Sequence, residues 1–391
     1  MLRDITIYAP MFVSLLWSLV LLTSSPKNNR AKFILGIFMF VCFLLFLSYA
    51  FYFKKQVATF LYFDLVFIVC ALSVFPLNYC YIKLLTVKTA FQKKDFQIFL
   101  PALLFLIISA INYLIMTPEQ RYQYVSVCIF KNKWISDADL IIKIQKSISI
   151  LIPYIYVLQI IYTFFKSRKC IKDYNKTIAN FYSNIEDKSI NWAELILNSL
   201  VITSVVCVVF SILGRHFFMD ATLVLLIPSA SFSALLFVVG YLGNIQNHTV
   251  ANLENDVNLV LDEVLTEGES IIVTNEDTFN SNKLKEEIID LFENKQIYTK
   301  PDLKIVDLAN MLKTNRTYVS TVINNDFAST FSRFVNQYRI RKAKEIIEQD
   351  TAKIYTLELI SQEVGFGSLH TFIRAFKESE GITPGAFRDR E

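Results

Sequence analysis

The chain has 391 residues, of which 53% are hydrophobic and only 19% are charged, and its formal net charge is +4. Soluble globular domains carry roughly a quarter of their residues as charged side chains, so this composition argues against a single soluble globule. Gly and Pro number nine each, which excludes collagen-like and low-complexity chains. The apolar excess is concentrated in the first 242 residues, and this placement predicts how the chain is organised.

Seven apolar stretches are long enough to cross a bilayer, which needs about 20 helical residues. They cover 5–23, 33–53, 57–82, 96–116, 148–165, 194–213 and 221–242. The sequence therefore predicts an all-α chain that begins with a seven-helix transmembrane bundle over residues 1–242. A secretory signal peptide is the alternative for the first stretch. Asp4 offsets Arg3 and no small-residue cleavage site precedes Ser24, which favours a transmembrane helix.

The charges of the connecting loops predict the orientation of these helices, because Lys and Arg concentrate on the cytoplasmic side of a membrane. Loops 24–32, 83–95 and 166–193 lie on one side and carry 13 Lys and Arg residues, against 9 on the other side. The N-terminus is therefore expected outside and the C-terminal part inside, with membrane lipid around the bundle.

Three polar side chains fall within the predicted spans, where polar groups are costly. They are Asp64, Asn112 and Gln159. In one interpretation they sense a small-molecule or envelope signal. In the other, the two amides link helices by hydrogen bonds and Asp64 lies near the lipid headgroups.

Residues 243–282 contain eight acidic side chains and no Lys or Arg, and we interpret them as an acidic linker. Leu253, Val257, Val260 and Val264 recur there at the spacing of one helix face. This stripe indicates either a homodimer contact or an amphipathic helix that lies on another part of the same chain.

Residues 283–391 have the periodicity of soluble helices. Two helix pairs are predicted at about 303–325 and 356–379, each with a tight turn and a polar, exposed second helix, which is a helix-turn-helix pattern. The long helix Phe331–Gln349 is apolar on several sides and is expected to connect the two pairs. Within the second helices, Tyr318 is expected to face inward, and Ser368 is expected to cap its helix.

The second pair carries a long motif, followed by Gly381-Ile382-Thr383-Pro384. The motif reads Gly365-Phe366-Gly367-Ser368-Leu369-His370-Thr371-Phe372-Ile373-Arg374-Ala375-Phe376-Lys377. It closely resembles the signature of AraC-family transcription regulators, G-F-x-S-x-x-x-F-x-R-x-F-K and then G-x-[ST]-P. The stretch Asn336-x-x-Arg339-Ile340-x-x-Ala343 resembles the family's connector helix, although residues 324–333 lack the glycine that the family usually has before that helix. The whole architecture looks like the membrane-anchored AraC-type regulators of some bacteria.

The resemblance implies promoter or operator DNA as the partner, with the second helix of each pair in successive major grooves. The side chains that it would place against base edges are Arg316, Thr317, Ser320, Thr321, Leu369, His370 and Arg374. The groups that it would place near phosphates are Arg339, Arg341, Lys342, Lys377, Arg388 and the capped helix start at Ser368. Arg339 has a structural ion pair as its alternative role, and Lys342 and Lys377 each have a solvated position as theirs.

These features predict a membrane-anchored one-component transcription regulator in the bacterial cytoplasmic membrane. One alternative is an integral-membrane transporter or enzyme with a regulatory soluble tail. Another is a bundle that only anchors and senses nothing. The sequence has no H-E-x-x-H, P-loop or G-x-S-x-G motif, and its six cysteines show no metal spacing. We therefore expect no catalytic site, no metal and no cofactor.

Overall fold

The computed structural model describes residues 1–24, 29–87, 91–186, 188–213, 222–246, 253, 281–350 and 352–390. The chain divides into two units. The first contains residues 1–172 and 190–250, and the second contains residues 173–189 and 251–391. The regular elements of the described residues are all helices, which confirms the all-α prediction.

The first unit is built from nine described helices, the seventh of which continues into the second unit. They are α1 (Leu2–Leu22), α2 (Arg30–Phe53), α3 (Val57–Thr86), α4 (Lys93–Phe96), α5 (Leu100–Ile115), α6 (Pro118–Gln123), α7 (Leu140–Phe181), α8 (Asn191–Leu213) and α9 (Thr222–Ile245). Within the described residues, six helices are long and apolar enough to cross a membrane, namely α1, α2, α3, the stretch Gln97–Ile115, α7 and α9. Because α8 is not among these six, the predicted count of seven is not established.

Small residues let the helices of the first unit approach closely. A Cβ atom added at Gly240 of α9 would lie 2.2 Å from the Trp17 ring of α1, and one at Gly36 of α2 would lie 2.9 Å from the Leu22 side chain. Ser18 of α1 donates a hydrogen bond to the carbonyl oxygen of Gly36 at 3.3 Å. Close backbone approach and hydrogen bonds of this kind are how apolar helices associate when water does not drive their packing.

Helix α7 is much longer than the apolar stretch 148–165 that predicts it. It continues to Phe181 because Ile171, Tyr174 and Ile178, spaced three and four residues apart, are buried on one face. Residues 173–189 were expected within an inside loop, and the structure groups them with the C-terminal helices. The predicted linker stripe lies outside the described residues except for Leu253, which is helical and buried.

The second unit contains seven described helices of its own. They are α10 (Ser281–Glu293), α11 (Ile305–Met311), α12 (Arg316–Asn325), α13 (Phe331–Gln349), α14 (Leu357–Glu363), α15 (Leu369–Glu380) and α16 (Pro384–Arg388). The pairs α11/α12 and α14/α15 lie where the two helix-turn-helix patterns are predicted, and α13 lies between them. Phe292 of α10 packs against Phe334 and Tyr338 of α13, with ring centroids 4.8 and 5.0 Å away.

Helix α13 also supplies one side of the core of the second pair. Ile340, Ala343 and Ile347 of α13 form one buried cluster with residues of α14, α15 and the turn between them. Among these, Phe372 and Phe376 of α15 are fully buried. The predicted role of α13 as a connector packed on several sides agrees with this arrangement.

Ala328 lies in the turn between α12 and α13, and its φ is 47°, in the left-handed region. A Cβ atom makes that conformation unfavourable by roughly 1–2 kcal/mol. We therefore expect Ala328→Gly to raise the free energy of unfolding of the second unit by about 1 kcal/mol, measured by thermal unfolding of the purified chain. The matched control Ala343→Gly, within α13, is expected to lower it, because glycine costs about 1 kcal/mol in a helix interior. A loss of stability in Ala328→Gly would contradict the argument.

Candidate nucleic-acid interface

Helix α12 presents a polar face beside its buried one. Its N-terminus is capped by Asn315, whose side chain accepts a hydrogen bond from the Thr317 backbone N–H at 2.8 Å. Val319, Val322 and Ile323 are buried. The predicted reading residues Arg316, Thr317 and Thr321 are exposed, and Ser320 is half-buried.

Tyr318 contradicts its predicted inward orientation, since 44% of its surface is exposed. It precedes the buried stripe of α12 by one residue, and one residue is a turn of 100° on a helix with 3.6 residues per turn. The exposed ring therefore joins the polar face as a group that sequence reasoning missed.

Helix α15 is capped as predicted, because the Ser368 side chain accepts a hydrogen bond from the Thr371 backbone N–H at 3.1 Å. His370 and Lys377 are exposed, and Arg374 is half-buried, with its guanidinium 4.0 Å from Glu378. Leu369 packs partly against the core of the second pair. Less of its side chain is therefore free for a thymine methyl group than the resemblance implies.

Arg339 is buried, with only 1% of its surface exposed. Its guanidinium donates hydrogen bonds to the carbonyl oxygens of Tyr298 and Lys300, both at 2.7 Å. Burial lowers the pKa of Arg339 to about 10, so the side chain remains charged at neutral pH. These contacts correct the implied phosphate role: a guanidinium enclosed in this way does not reach a DNA backbone. The buried position of Arg339 agrees with its alternative, structural role, although its partners are carbonyl groups rather than the carboxylate of an ion pair.

The other implied phosphate groups lie nearer the surface. Lys342 bonds to Glu345 at 3.1 Å, and the Arg341 guanidinium lies 5.0 Å from the centre of the Tyr338 ring. Arg388 donates to the carbonyl oxygen of Tyr355 at 3.1 Å. Their roles toward DNA remain predictions.

Residues 182–189 add a contact that no sequence pattern indicates. The Glu186 carboxylate accepts hydrogen bonds from the Ser368 hydroxyl at 2.6 Å and from the Thr371 hydroxyl, and it lies 2.7 Å from His370 Nδ1. Burial alone raises the pKa of Glu186, but these hydrogen bonds outweigh it and hold that pKa below its ordinary value. The carboxylate is therefore ionised at neutral pH and lies at the N-terminus of α15.

The three polar side chains predicted inside the membrane spans are all buried and hydrogen-bonded to other parts of the bundle. Asp64 accepts a hydrogen bond from the Tyr113 hydroxyl at 2.8 Å. Asn112 donates to Gln145 at 3.1 Å, and Gln159 donates to the carbonyl oxygen of Ile98 at 3.1 Å. These bonds match the helix-linking interpretation for the amides. Asp64 bonds to α5, and a sensing role for the three stays a prediction.

The first unit also contains a partly open apolar cavity of about 210 Å³. Its lining includes Phe38, Phe67, Phe75 and Leu236, with Ser229 among its few polar groups. Such a lining suits an apolar molecule better than a charged one. Among the residues that the structure describes, no three or more His, Cys, Asp or Glu side chains form a group that could hold a metal ion.

Comparison with known proteins identifies the C-terminal part of the chain. Residues 308–390 match the family described as a helix-turn-helix domain. The chain is 32% identical over 91 residues to the uncharacterized HTH-type transcriptional regulator YtdP of Bacillus subtilis (strain 168), and 31% identical over 86 residues to the uncharacterized HTH-type transcriptional regulator YfiF of the same organism. The matched regions are 23% and 22% of this chain, but only 11% and 26% of those relatives.

A solved structure is also similar to part of this chain. The C-terminal domain of AraT, a response regulator from Geobacillus stearothermophilus, aligns with 28% of this chain and 84% of its own length, with 22% identity and a TM-score of 0.24. From the family match and the two relatives, residues 308–390 of the chain carry a helix-turn-helix domain.

Proposed function

We propose that this chain is a transcription regulator that is anchored in the bacterial cytoplasmic membrane and binds promoter DNA through α12 and α15. The observation that carries the proposal is the matched pair of capped helices, each buried on one face and exposing polar side chains on the other. Both helices lie within residues 308–390, the region that matches the helix-turn-helix family.

The exposed side chains have the chemistry of base and phosphate recognition. Arg316 and Arg374 can each hold guanine O6 and N7 with two hydrogen bonds, and Thr317 can bond to either partner of a base pair. Lys377 and the free N–H groups behind Ser368 suit phosphate oxygens, which position a protein on DNA without reading its sequence.

The grouping of residues 173–189 with the C-terminal helices supports the predicted topology. Two segments that pack in one unit lie on the same side of a membrane, so the chain between them crosses an even number of times. That stretch contains α8 and α9, and α9 is one of the six candidate spans. The proposal therefore includes α8 as a further crossing, and its 23 residues give a length of about 34 Å.

In the proposed topology the chain crosses the membrane seven times, with the N-terminus on the side opposite the DNA-binding domain and that domain in the cytoplasm, where the DNA is. Within this arrangement, we assign control by a small-molecule or envelope signal to the bundle. The hydrogen bonds of Asp64, Asn112 and Gln159 connect α3, α5 and α7, and a ligand that favours one packing of these helices over another would shift activity. A homodimer through the linker stripe remains part of the proposal.

The test is sequence-specific DNA binding by the full chain in lipid nanodiscs, with a duplex selected from a random library and a scrambled duplex as reference. We expect Arg374→Ala to lose about 1–3 kcal/mol of discrimination between the two duplexes, the amount that one bidentate contact to guanine supplies. Competition binding measures this difference directly.

Lys377→Ala is the matched control, because it removes a charge from the same helix. It is expected to weaken binding to both duplexes equally and to reduce the salt slope by about one. Failure to select any preferred duplex, or equal discrimination in Arg374→Ala and the parent chain, would contradict the proposed function.

A further inference from the structure

The end of α7 and the loop after it contact both recognition helices of the second unit. The Phe181 ring lies 5.7 Å from the Arg316 guanidinium of α12. The Asn184 side chain packs on the turn before α15, where a Cβ atom added at Gly367 would come within 2.2 Å of its nitrogen. Glu186 lies at the start of α15 itself.

Backbone and side-chain bonds fix this loop on the core of the unit. The Ser183 backbone N–H donates to the carbonyl oxygen of Leu303 at 3.0 Å, and the Ser332 hydroxyl donates to the carbonyl oxygen of Ser183 at 2.9 Å. Tyr182 forms an isolated antiparallel bridge with Lys304. Arg339 reaches the Ser183 hydroxyl at 3.4 Å. The loop is therefore a packed part of the second unit.

The partners of Glu186 at the start of α15 are two hydroxyl groups and an imidazole nitrogen, which can hold a phosphate group as well as a carboxylate. A helix N-terminus attracts anions through its free N–H groups and its dipole, and here two hydroxyl groups and an imidazole nitrogen add to them. Because the ionised Glu186 carboxylate already occupies these donors, it excludes a second anion, such as a DNA phosphate, from the start of α15. Ser368 and His370 therefore contact Glu186 of the loop, and they are also residues that the resemblance assigns to DNA binding.

We propose that residues 182–189 form an autoinhibitory segment, in which the Glu186 carboxylate occupies the place of a DNA phosphate at the start of α15, while Phe181 at the end of α7 lies beside the Arg316 guanidinium of α12. The proposal rests on the proposed function, since it concerns the regulation of the same DNA-binding surface. DNA binds only after the segment leaves, so the measured affinity is the intrinsic affinity multiplied by the fraction of molecules in which the segment is undocked.

The position of the segment in the chain connects it to the bundle. It follows directly on α7, a single helix from Leu140 to Phe181 whose first part carries Gln145 and Gln159. The docked segment is thereby covalently continuous with the helix that carries Gln145 and Gln159.

The experiment compares the full wild-type chain with Glu186→Ala in nanodiscs, using the selected duplex as probe. We expect Glu186→Ala to bind the duplex about tenfold more tightly, with Glu186→Gln between the two because its amide oxygen still accepts a hydrogen bond. Asp173→Ala is the matched control. Asp173 is an exposed acidic residue of α7 that lies before the segment and belongs to the same unit, and its removal is expected to change affinity less than twofold.

Hydrogen exchange on the wild-type chain gives a second readout without substitution. Saturating duplex is expected to speed exchange of the amides of residues 183–189 and to slow exchange at the start of α15. Equal affinity of wild type and Glu186→Ala, or slower exchange in 183–189 with DNA bound, would overturn the autoinhibitory segment and leave the proposed function standing. Absence of duplex preference in every variant would overturn both.

Discussion

Arg339→Met is expected to lower the free energy of unfolding of the second unit by about 3 kcal/mol or more. Methionine retains an apolar, unbranched stem but lacks the guanidinium, which leaves the carbonyl oxygens of Tyr298 and Lys300 without their donors. Each buried polar group that loses its partner costs about 1–3 kcal/mol. Thermal unfolding of the purified chain measures the loss, with hydrogen exchange of the α13 amides as the probe of the second unit.

Arg341→Met is the matched control, since Arg341 lies on the exposed side of the same helix. Surface substitutions of this kind change stability by about 0.5 kcal/mol or less. If Arg339→Met left the stability unchanged and weakened binding to all duplexes, Arg339 would have the phosphate role after all.

Gly365→Ala is expected to destabilise the second unit by about 3 kcal/mol. The φ of Gly365 is 93°, a conformation that costs an L-residue roughly 1–2 kcal/mol. In addition, a Cβ atom there would lie 2.5 Å from the carbonyl oxygen of Thr299, so the backbone of the turn or of residues 298–299 must move. Denaturant unfolding of the chain in detergent measures the difference.

Gly381→Ala separates the two contributions. Gly381 also has a positive φ, 76°, at the end of α15, but no atom lies within 4 Å of an added Cβ. This substitution is expected to cost only the conformational part, about 1 kcal/mol. Equal losses at the two positions would show that the close approach to Thr299 contributes nothing.

The local structure of the C-terminal region could be predicted because its determinants are close together in sequence. Thr356 and Ser368 cap α14 and α15 as expected, with backbone N–H groups three residues on as donors. The length of an apolar stretch similarly predicted the candidate spans. Both kinds of pattern depend on spacing within one helix, which a single sequence contains.

The contacts that regulate the proposed interface could not be predicted in the same way. Glu186 meets its partners on α15 across more than 180 residues, and a charged loop between two apolar stretches has no local pattern that indicates a docking site. The connector motif placed Arg339 on a helix without indicating which groups surround it. Tyr318 shows the limit of helical periodicity, because a residue at the edge of an apolar stripe can lie on either side.

Flotation of DNA with proteoliposomes tests the central claim most directly, because it requires one chain to hold both a bilayer and a duplex. Liposomes that contain the full chain, as wild type and as Glu186→Ala, are mixed with labelled selected duplex and centrifuged through a sucrose gradient. The account predicts that the duplex floats with the liposomes, more of it with Glu186→Ala, and that raising the salt concentration releases it. A chain that does not float with lipid, or a duplex that stays at the bottom of the gradient with both forms, would contradict it.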